Sequence, residues 1–363
     1  MANLGQTLQQ LKAMKAMSQT QGRASPAEIL RSVDAFGTNP GALRMKMYAP
    51  QTLEAGAALV VVLHGCTQTA SGYAGPAGWL ALAARYNFVI VAPEQRRENN
   101  PNLCFNWFEP GDIKRAGGEA QSIAEMVRYA VNKHQLDPGR VFVTGLSAGG
   151  AMTCVMLATY PELFAGGAVV AGLAYGSAKS VTDAFAAMSA SVTPDAAELA
   201  QRVRRATDHP GPWPKVAVWH GAADQIVRPA AGEAVAAQWR ALHDANGCAR
   251  TARTPDGRTF DIWLDPAGEP VVELHRIAGM GHGAPIKARG DGRCGAVSAF
   301  THDVGVASAY EIALGWGLAT SASRHERDSA VVDEASGPQT EPDPQDRLTA
   351  VINDALRTAG LLR

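Results

Sequence analysis

A serine with glycines two positions to either side, Gly145-Leu146-Ser147-Ala148-Gly149, directly follows the apolar run Val141-Phe142-Val143-Thr144. A serine hydroxyl becomes a nucleophile when a base takes its proton and an acid orients that base. The spacing here suits that task. A strand that turns at once into a helix strains the serine backbone, and glycines two before and two after the serine avoid a side-chain clash. The Oγ of Ser147 then stands above the end of the strand. A helix beginning at Ala148 points its N-terminal amides at the same spot, where an oxyanion would develop.

In a nucleophile elbow of this kind the chain order is Ser, then Asp or Glu, then His. Asp224 closes the stretch His220-Gly221-Ala222-Ala223-Asp224, just past a strand expected over residues 216–220. A carboxylate at that place lies at the catalytic edge of a parallel sheet. His282 sits in Gly279-Met280-Gly281-His282-Gly283 after a strand over 271–277, and the glycines let its loop approach another backbone closely. Asp261 is the rival acid. His134, His209, His243 and His302 fall in helices, an insertion or a late loop. His64 and His220 each follow a strand and precede a glycine, and they read as loop-shaping residues. The amide of Ala148 is the first oxyanion donor. The second comes from His64-Gly65-Cys66-Thr67-Gln68, most directly the amide of Cys66 rather than its thiol. Asp112 and Glu119 read as capping or loop residues.

These residues need a scaffold, and the surrounding pattern supplies one. Alternation over 43–48 predicts an edge strand, and the continuous apolar run over 58–63 a central parallel strand. Further strands are expected over 88–92, 168–171 and 216–220, with helices over 78–86, 119–134 and 148–160 between them. Strands alternating with helices make an α/β fold with a mostly parallel sheet covered on both faces. Residues 94–111 form a long polar loop. Residues 173–214 exceed a simple crossover and form a cap-like insertion, with a helix opening at Asp195 and ending near Arg205. Turn signals within 254–277 predict an antiparallel extension at the sheet edge.

The remaining segments flank this body. Residues 1–41 form an N-terminal helical extension, and the catalytic domain spans 42–320. In the extension Leu4, Leu8, Leu11, Met14 and Met17 share one helical face, and Ser25-Pro26-Ala27-Glu28 opens a short helix. A Ser-, Asp-, Glu- and Pro-rich linker covers 321–344. A final amphipathic helix over 345–363 carries Leu348, Val351, Ile352, Ala355 and Ala359 on one face. The terminal helices pack on their own domain or a second copy, or attach to a hydrophobic surface such as a polymer granule.

Composition narrows the function. The chain has 363 residues with 33 basic and 34 acidic side chains, so no large basic field is available for nucleic acid. No apolar run is long enough to span a membrane. The N-terminus lacks the continuous apolar core of a signal peptide. The expectation is a cytoplasmic protein as written, or a secreted one if the true N-terminus lies upstream. Five cysteines do not make a disulfide-built scaffold. No Cys/His spacing marks a metal site, and the chemistry calls for no cofactor.

The motifs taken together resemble a known family. His64-Gly65-Cys66-Thr67-Gln68, Pro93-Glu94-Gln95, Cys104-Phe105-Asn106-Trp107-Phe108, Gly118-Glu119, the elbow through Met152, and Gly279 to Gly283 look like the polyhydroxybutyrate depolymerase family of esterases. That family is similar to feruloyl and acetylxylan esterases, all of the α/β-hydrolase fold. The resemblance covers about residues 42–318. It implies Ser147 as nucleophile, Asp224 as acid, His282 as base, and Cys66 with Ala148 as oxyanion donors. The implied substrate is an ester or polyester: hydroxyalkanoate oligomers and short-chain esters first, then feruloyl or acetylxylan esters. Acyl transfer by the same triad is a further alternative. Cys66 with Cys104, and Cys248 with Cys294, either form disulfides or stay as free thiols in a reducing cytosol, while Cys154 is a buried small hydrophobe. Trp107 either lines an acyl or alcohol pocket or pins its loop. Met280, beside His282, is a second candidate substrate contact.

Overall fold

The computed structural model describes residues 29–190, 195–245, 247–254 and 257–320. The chain divides into two units, residues 1–321 and 322–363, and every described residue belongs to the first. The expected helices before residue 29, the linker and the C-terminal helix lie outside the described residues.

The strands are β1 (Arg31–Val33), β2 (Arg44–Tyr48), β3 (Leu59–Leu63), β4 (Val89–Glu94), β5 (Val141–Leu146), β6 (Gly166–Val170), β7 (Lys215–Gly221), β8 (Cys248–Arg253), β9 (Arg258–Leu264) and β10 (Pro270–Ile277). Among the described residues they form one sheet in the order β1-β2-β4-β3-β5-β6-β7-β10-β9-β8. The run from β4 to β10 is parallel, and both flanks are antiparallel. Two short strands, β11 (Ala284–Ile286) and β12 (Thr301–Asp303), pair separately. The segment expected to form an edge strand is second from the edge. The three-residue β1 lies outside it, too short to show a period of its own.

The helices are α1 (Ala70–Ala74), α2 (Trp79–Tyr86), α3 (Gly118–His134), α4 (Ala148–Thr159), α5 (Val181–Met188), α6 (Ala196–Arg204), α7 (Pro229–Leu242) and α8 (Ser308–Gly315). They cover both faces of the sheet. In β3 the residues Leu59, Val61 and Leu63 join the core under α3, α4 and α7, while Val60 and Val62 join the core under α1, α2 and α8. A strand buried on both faces needs an unbroken apolar run, which β3 has. Every residue of α4 is buried, which explains why that helix is apolar all round rather than striped.

The insertion after β6 carries α5 and α6, and one buried amide helps tie it to α7. Gln238 of α7 is fully buried; its Oε1 accepts the Tyr175 N–H at 3.0 Å, and its Nε2 donates to the Tyr175 and Leu199 carbonyls at 3.0 Å each. Docked in this way, the insertion flanks the C-terminal end of β6.

The turn from β5 into α4 leaves no room for side chains. A methyl on Gly149 would run into the carbonyl oxygens of Leu63 and His64, and one on Gly145 would meet Gly149 and Leu63. Gly149→Ala is expected to cost roughly 1–3 kcal/mol, the usual penalty for overpacking. Gly111 has nothing within 4 Å of its Cβ position, so Gly111→Ala is expected to be neutral. Urea unfolding midpoints check both: equal midpoints for the two variants would contradict this packing.

Candidate active site

The site is built on the C-terminal ends of β3, β5, β7 and β10. Ser147 links β5 to α4 with φ 58° and ψ −117°, a backbone conformation that a residue with a side chain holds only under strain. Its N–H donates to the Val170 carbonyl at 2.9 Å, and its carbonyl accepts the Ala151 N–H at 2.9 Å. The residue is only 6 % exposed.

Two β-strand exits hold the acid and the imidazole together. Beyond β7, the Ala222 N–H donates to the Ile277 carbonyl at 2.9 Å and the Ala223 N–H to the Met280 carbonyl at 3.0 Å. The loops after β7 and β10 are thereby stitched to each other. Asp224 Oδ1 accepts the N–H groups of Ile226 and Val227 at 2.8 and 3.0 Å. Its Oδ2 accepts His282 Nδ1 at 2.7 Å. A carboxylate at Nδ1 fixes the tautomer: Nδ1 carries the proton, and Nε2 presents a lone pair. That Nε2 is buried and has no hydrogen-bond partner among the described residues. No hydrogen bond joins it to Ser147 in this structure; such contacts commonly close only when substrate arrives.

Asp224 is fully buried, and burial alone would push its carboxyl up. Hydrogen bonds from His220 and His282, with the charges of the same two rings, outweigh burial and hold it well below the usual carboxylate range. His220 Nε2 stands 3.4 Å from Oδ2 and 2.9 Å from the Val227 carbonyl. Facing two acceptors, it must carry the proton. The rival Asp261 is instead paired with Arg276 at 2.6 Å on the antiparallel extension, with Thr251 donating to its other oxygen.

The loop after β3 passes over Ser147. A Cβ on Gly65 would lie 3.5 Å from Ser147 Cβ. Among the described residues neither the Cys66 N–H nor the Ala148 N–H has an acceptor. Two free amides beside a buried serine are what a tetrahedral oxyanion requires. His64 shapes this loop as expected: its ring bonds the Gly65 carbonyl at 2.7 Å through Nδ1 and accepts the Gln95 N–H at 3.1 Å through Nε2. Burial pushes its pKa down, which suits a neutral ring with one donor and one acceptor.

Cys66 is disulfide-bonded to Cys104, with 4.1 Å between Cα atoms. Of the other suggested pair, the Cys248 side chain lies outside the described residues. Cys294 packs beside Gly78. Cys154 is buried, and burial pushes its thiol up to about 12, as a small hydrophobe would show. Trp107 is 6 % exposed and packs edge-on to Phe108, while Met280 is 3 % exposed and offers its carbonyl to the acid loop. A cavity of about 550 Å³ between α8 and β7–β10, lined by Trp219, Phe260, His275 and Trp316, includes none of these groups.

A family model for esterase PHB depolymerase matches residues 43–259. The chain belongs to the esterase PHB depolymerase family. Poly(3-hydroxyalkanoate) depolymerase C of Paucimonas lemoignei is 43 % identical over 297 residues, covering 81 % of this chain and 72 % of that one. An acetylxylan esterase of Coprinopsis cinerea is 34 % identical over 269 residues, covering 72 % and 70 %. The structure of an acetyl xylan esterase from Aspergillus awamori superposes with a TM-score of 0.68 at 25 % identity, covering 80 % of this chain and 99 % of that one. The fold of this esterase PHB depolymerase family member is the α/β-hydrolase fold, as expected.

Three supports in this family member escaped the sequence reading. His220 reaches the acid itself, beyond shaping its loop. His302 Nε2 donates to the His282 carbonyl at 2.9 Å. Glu119, read as a cap or loop residue, is a buried carboxyl; burial and the nearby Asp112 push its pKa up to about 8.

The depressed Asp224 carboxyl has a stability consequence. The native state favours the ionised form, so its contribution is present above the unfolded value near 3.8 and is lost as pH falls toward the lower native value. Asp224→Asn is therefore expected to lower Tm relative to wild type by its full amount at pH 7 and by somewhat less near pH 3, where the unfolded carboxyl is largely protonated while the native one stays ionised. Thermal melts at the two pH values check this, and an equal gap at both would contradict it.

Proposed function

We propose that Ser147 attacks the carbonyl of an ester, with His282 as its base and Asp224 as the orienting acid. His282 Nε2 takes the Ser147 proton as the Oγ–C bond forms. The N–H groups of Cys66 and Ala148 hold the negative oxygen of the tetrahedral intermediate. The imidazolium then protonates the leaving alcohol as the C–O bond breaks, which leaves an acyl group on Ser147. Water repeats the sequence, giving its proton to His282 and releasing the acid. Asp224 keeps Nδ1 protonated and stabilises the transient positive charge. The observation that carries this reading is the buried 2.7 Å bond from His282 to Asp224, set across the strand ends from a strained serine under two free amides.

For substrate, short hydroxyalkanoate oligoesters are the first choice. This is supported by the higher identity to the poly(3-hydroxyalkanoate) depolymerase, 43 % against 34 % for the acetylxylan esterase. Esters of plant cell-wall sugars are the second reading, favoured by the 0.68 TM-score to the Aspergillus awamori enzyme. The Cys66–Cys104 disulfide supports folding in an oxidising compartment rather than in a reducing cytosol.

Hydrolysis of a hydroxybutyrate trimer, an acetylated xylo-oligosaccharide and methyl ferulate, by wild type and Ser147→Ala, tests the reading. The expected result is fastest turnover of the trimer, with the folded variant reduced by about 10⁴-fold or more. Preference for the sugar ester would move the chain to the second reading. Full activity in Ser147→Ala would remove the serine from the mechanism.

A further inference from the structure

The chain buries a carboxyl that the reaction does not use. Glu119 lies in the first turn of α3, is 1 % exposed, and has no cationic partner among the described residues. An apolar side chain would fill the same place without the cost of burying a charge-bearing group. What Glu119 touches gives the reason. Its Oε1 accepts the side-chain amide of Gln95, and its Oε2 accepts the Asn106 N–H at 2.9 Å. The same Gln95 amide nitrogen donates to the Cys104 carbonyl at 3.0 Å, and the Gln95 backbone N–H donates to His64 Nε2 at 3.1 Å.

Both ends of the oxyanion loop trace back to Gln95. Through His64 it reaches the Gly65 carbonyl, which accepts from that ring at 2.7 Å. Through Cys104 it reaches Cys66 across the disulfide. A third tie, the Thr67 N–H to the Asn102 carbonyl at 2.7 Å, joins the same two loops. The His64 arm uses the Gln95 backbone N–H, but the Cys104 arm holds only if the Gln95 amide nitrogen is aimed, and Glu119 is the acceptor that aims it. Asn99 Nδ2 and the Arg96 N–H, both donors to Gln95 Oε1 at 3.0 and 2.9 Å, fix the other side of the amide.

We propose that Glu119 is a positioning residue for the oxyanion hole, acting through Gln95 to set the Cys66 amide. It touches no reacting atom. The proposal rests on the serine-esterase reading above. It also gives a task to three sequence motifs the triad leaves idle: Pro93-Glu94-Gln95, the segment from Cys104 to Phe108, and Gly118-Glu119.

The test uses Glu119→Gln, Gln95→Met and the double variant in the full chain. An amide at 119 must set its NH₂ against either Gln95 or the Asn106 N–H, so one contact is lost without change of size. The probe is an alkylboronic acid, which forms a tetrahedral adduct with a serine and places an oxygen in the oxyanion hole. KM for p-nitrophenyl butyrate and the melting temperature are read alongside. Each single variant is expected to weaken boronate inhibition and kcat together by about tenfold while KM stays within about twofold. The double variant is expected to be no worse than the weaker single one, since both act on one path. A folded variant with wild-type boronate affinity, losses that multiply in the double, or a KM that rises in step would overturn the proposal. If Glu119→Gln does not fold, Gln95→Met decides alone; failure of both to fold would make them plain structural supports and also overturn it. A wild type indifferent to the boronate would instead bring down the serine-esterase reading.

Discussion

The backbone strain at Ser147 is the constraint around which the rest is arranged. A left-handed φ of 58° at a residue with a side chain is costly, on the order of 1–3 kcal/mol, and persists only where the surroundings over-determine it. Here β5 holds the residue before the turn in the middle of the parallel sheet. The helix after it, α4, is buried along its whole length. The Ser147 N–H is tied across to the end of β6. A turn this tight brings the first turn of α4 against the end of β3, which is why the positions facing Leu63 and His64 must be glycine. The loop after β3 can then cross close over the serine. Strain, glycine pattern and free amides are one consequence of a single packing choice.

Charge is managed in two separate buried clusters. Around Asp224, four donors converge on one carboxylate: two backbone amides on Oδ1 and two imidazoles on Oδ2. This suits a group that must stay ionised while its neighbour becomes positively charged. Around Glu119 the donors are fewer and neutral, and burial dominates. A carboxyl in that setting serves as an acceptor and anchor rather than as a source of field. In the proposed mechanism the first cluster sets the base, and the second lies behind the loop after β3. Esterase chemistry needs both, because proton transfer and oxyanion binding occur in the same step.

The three residues of the proposed triad stand out in the sequence because each sits where a local pattern ends. Ser147 stands between glycines after an apolar run, and Asp224 and His282 each follow a strand by a few residues. The parallel sheet and its two covered faces followed from the same runs, as in β3, whose alternate residues feed two cores. The supporting residues were not legible for a physical reason. Glu119 meets Gln95 from 24 residues away and Asn106 from 13, across a polar loop with no period. The sequence marks His220 as a loop former, and its bond to the Val227 carbonyl agrees with that, but its second contact depends on how the Asp224 loop folds back. The short β1 carries too few residues to show alternation, so the sequence points to β2 as the edge.

The account stands on a covalent intermediate at Ser147. Rapid acid quench of turnover with a p-nitrophenyl ester, followed by peptide mass spectrometry, measures it directly. The account predicts a burst of one nitrophenol per chain and an acyl mass on the peptide that carries Ser147, absent in Ser147→Ala. A burst with the acyl group on another residue, or turnover at wild-type rate with no acylated peptide in Ser147→Ala, would contradict it.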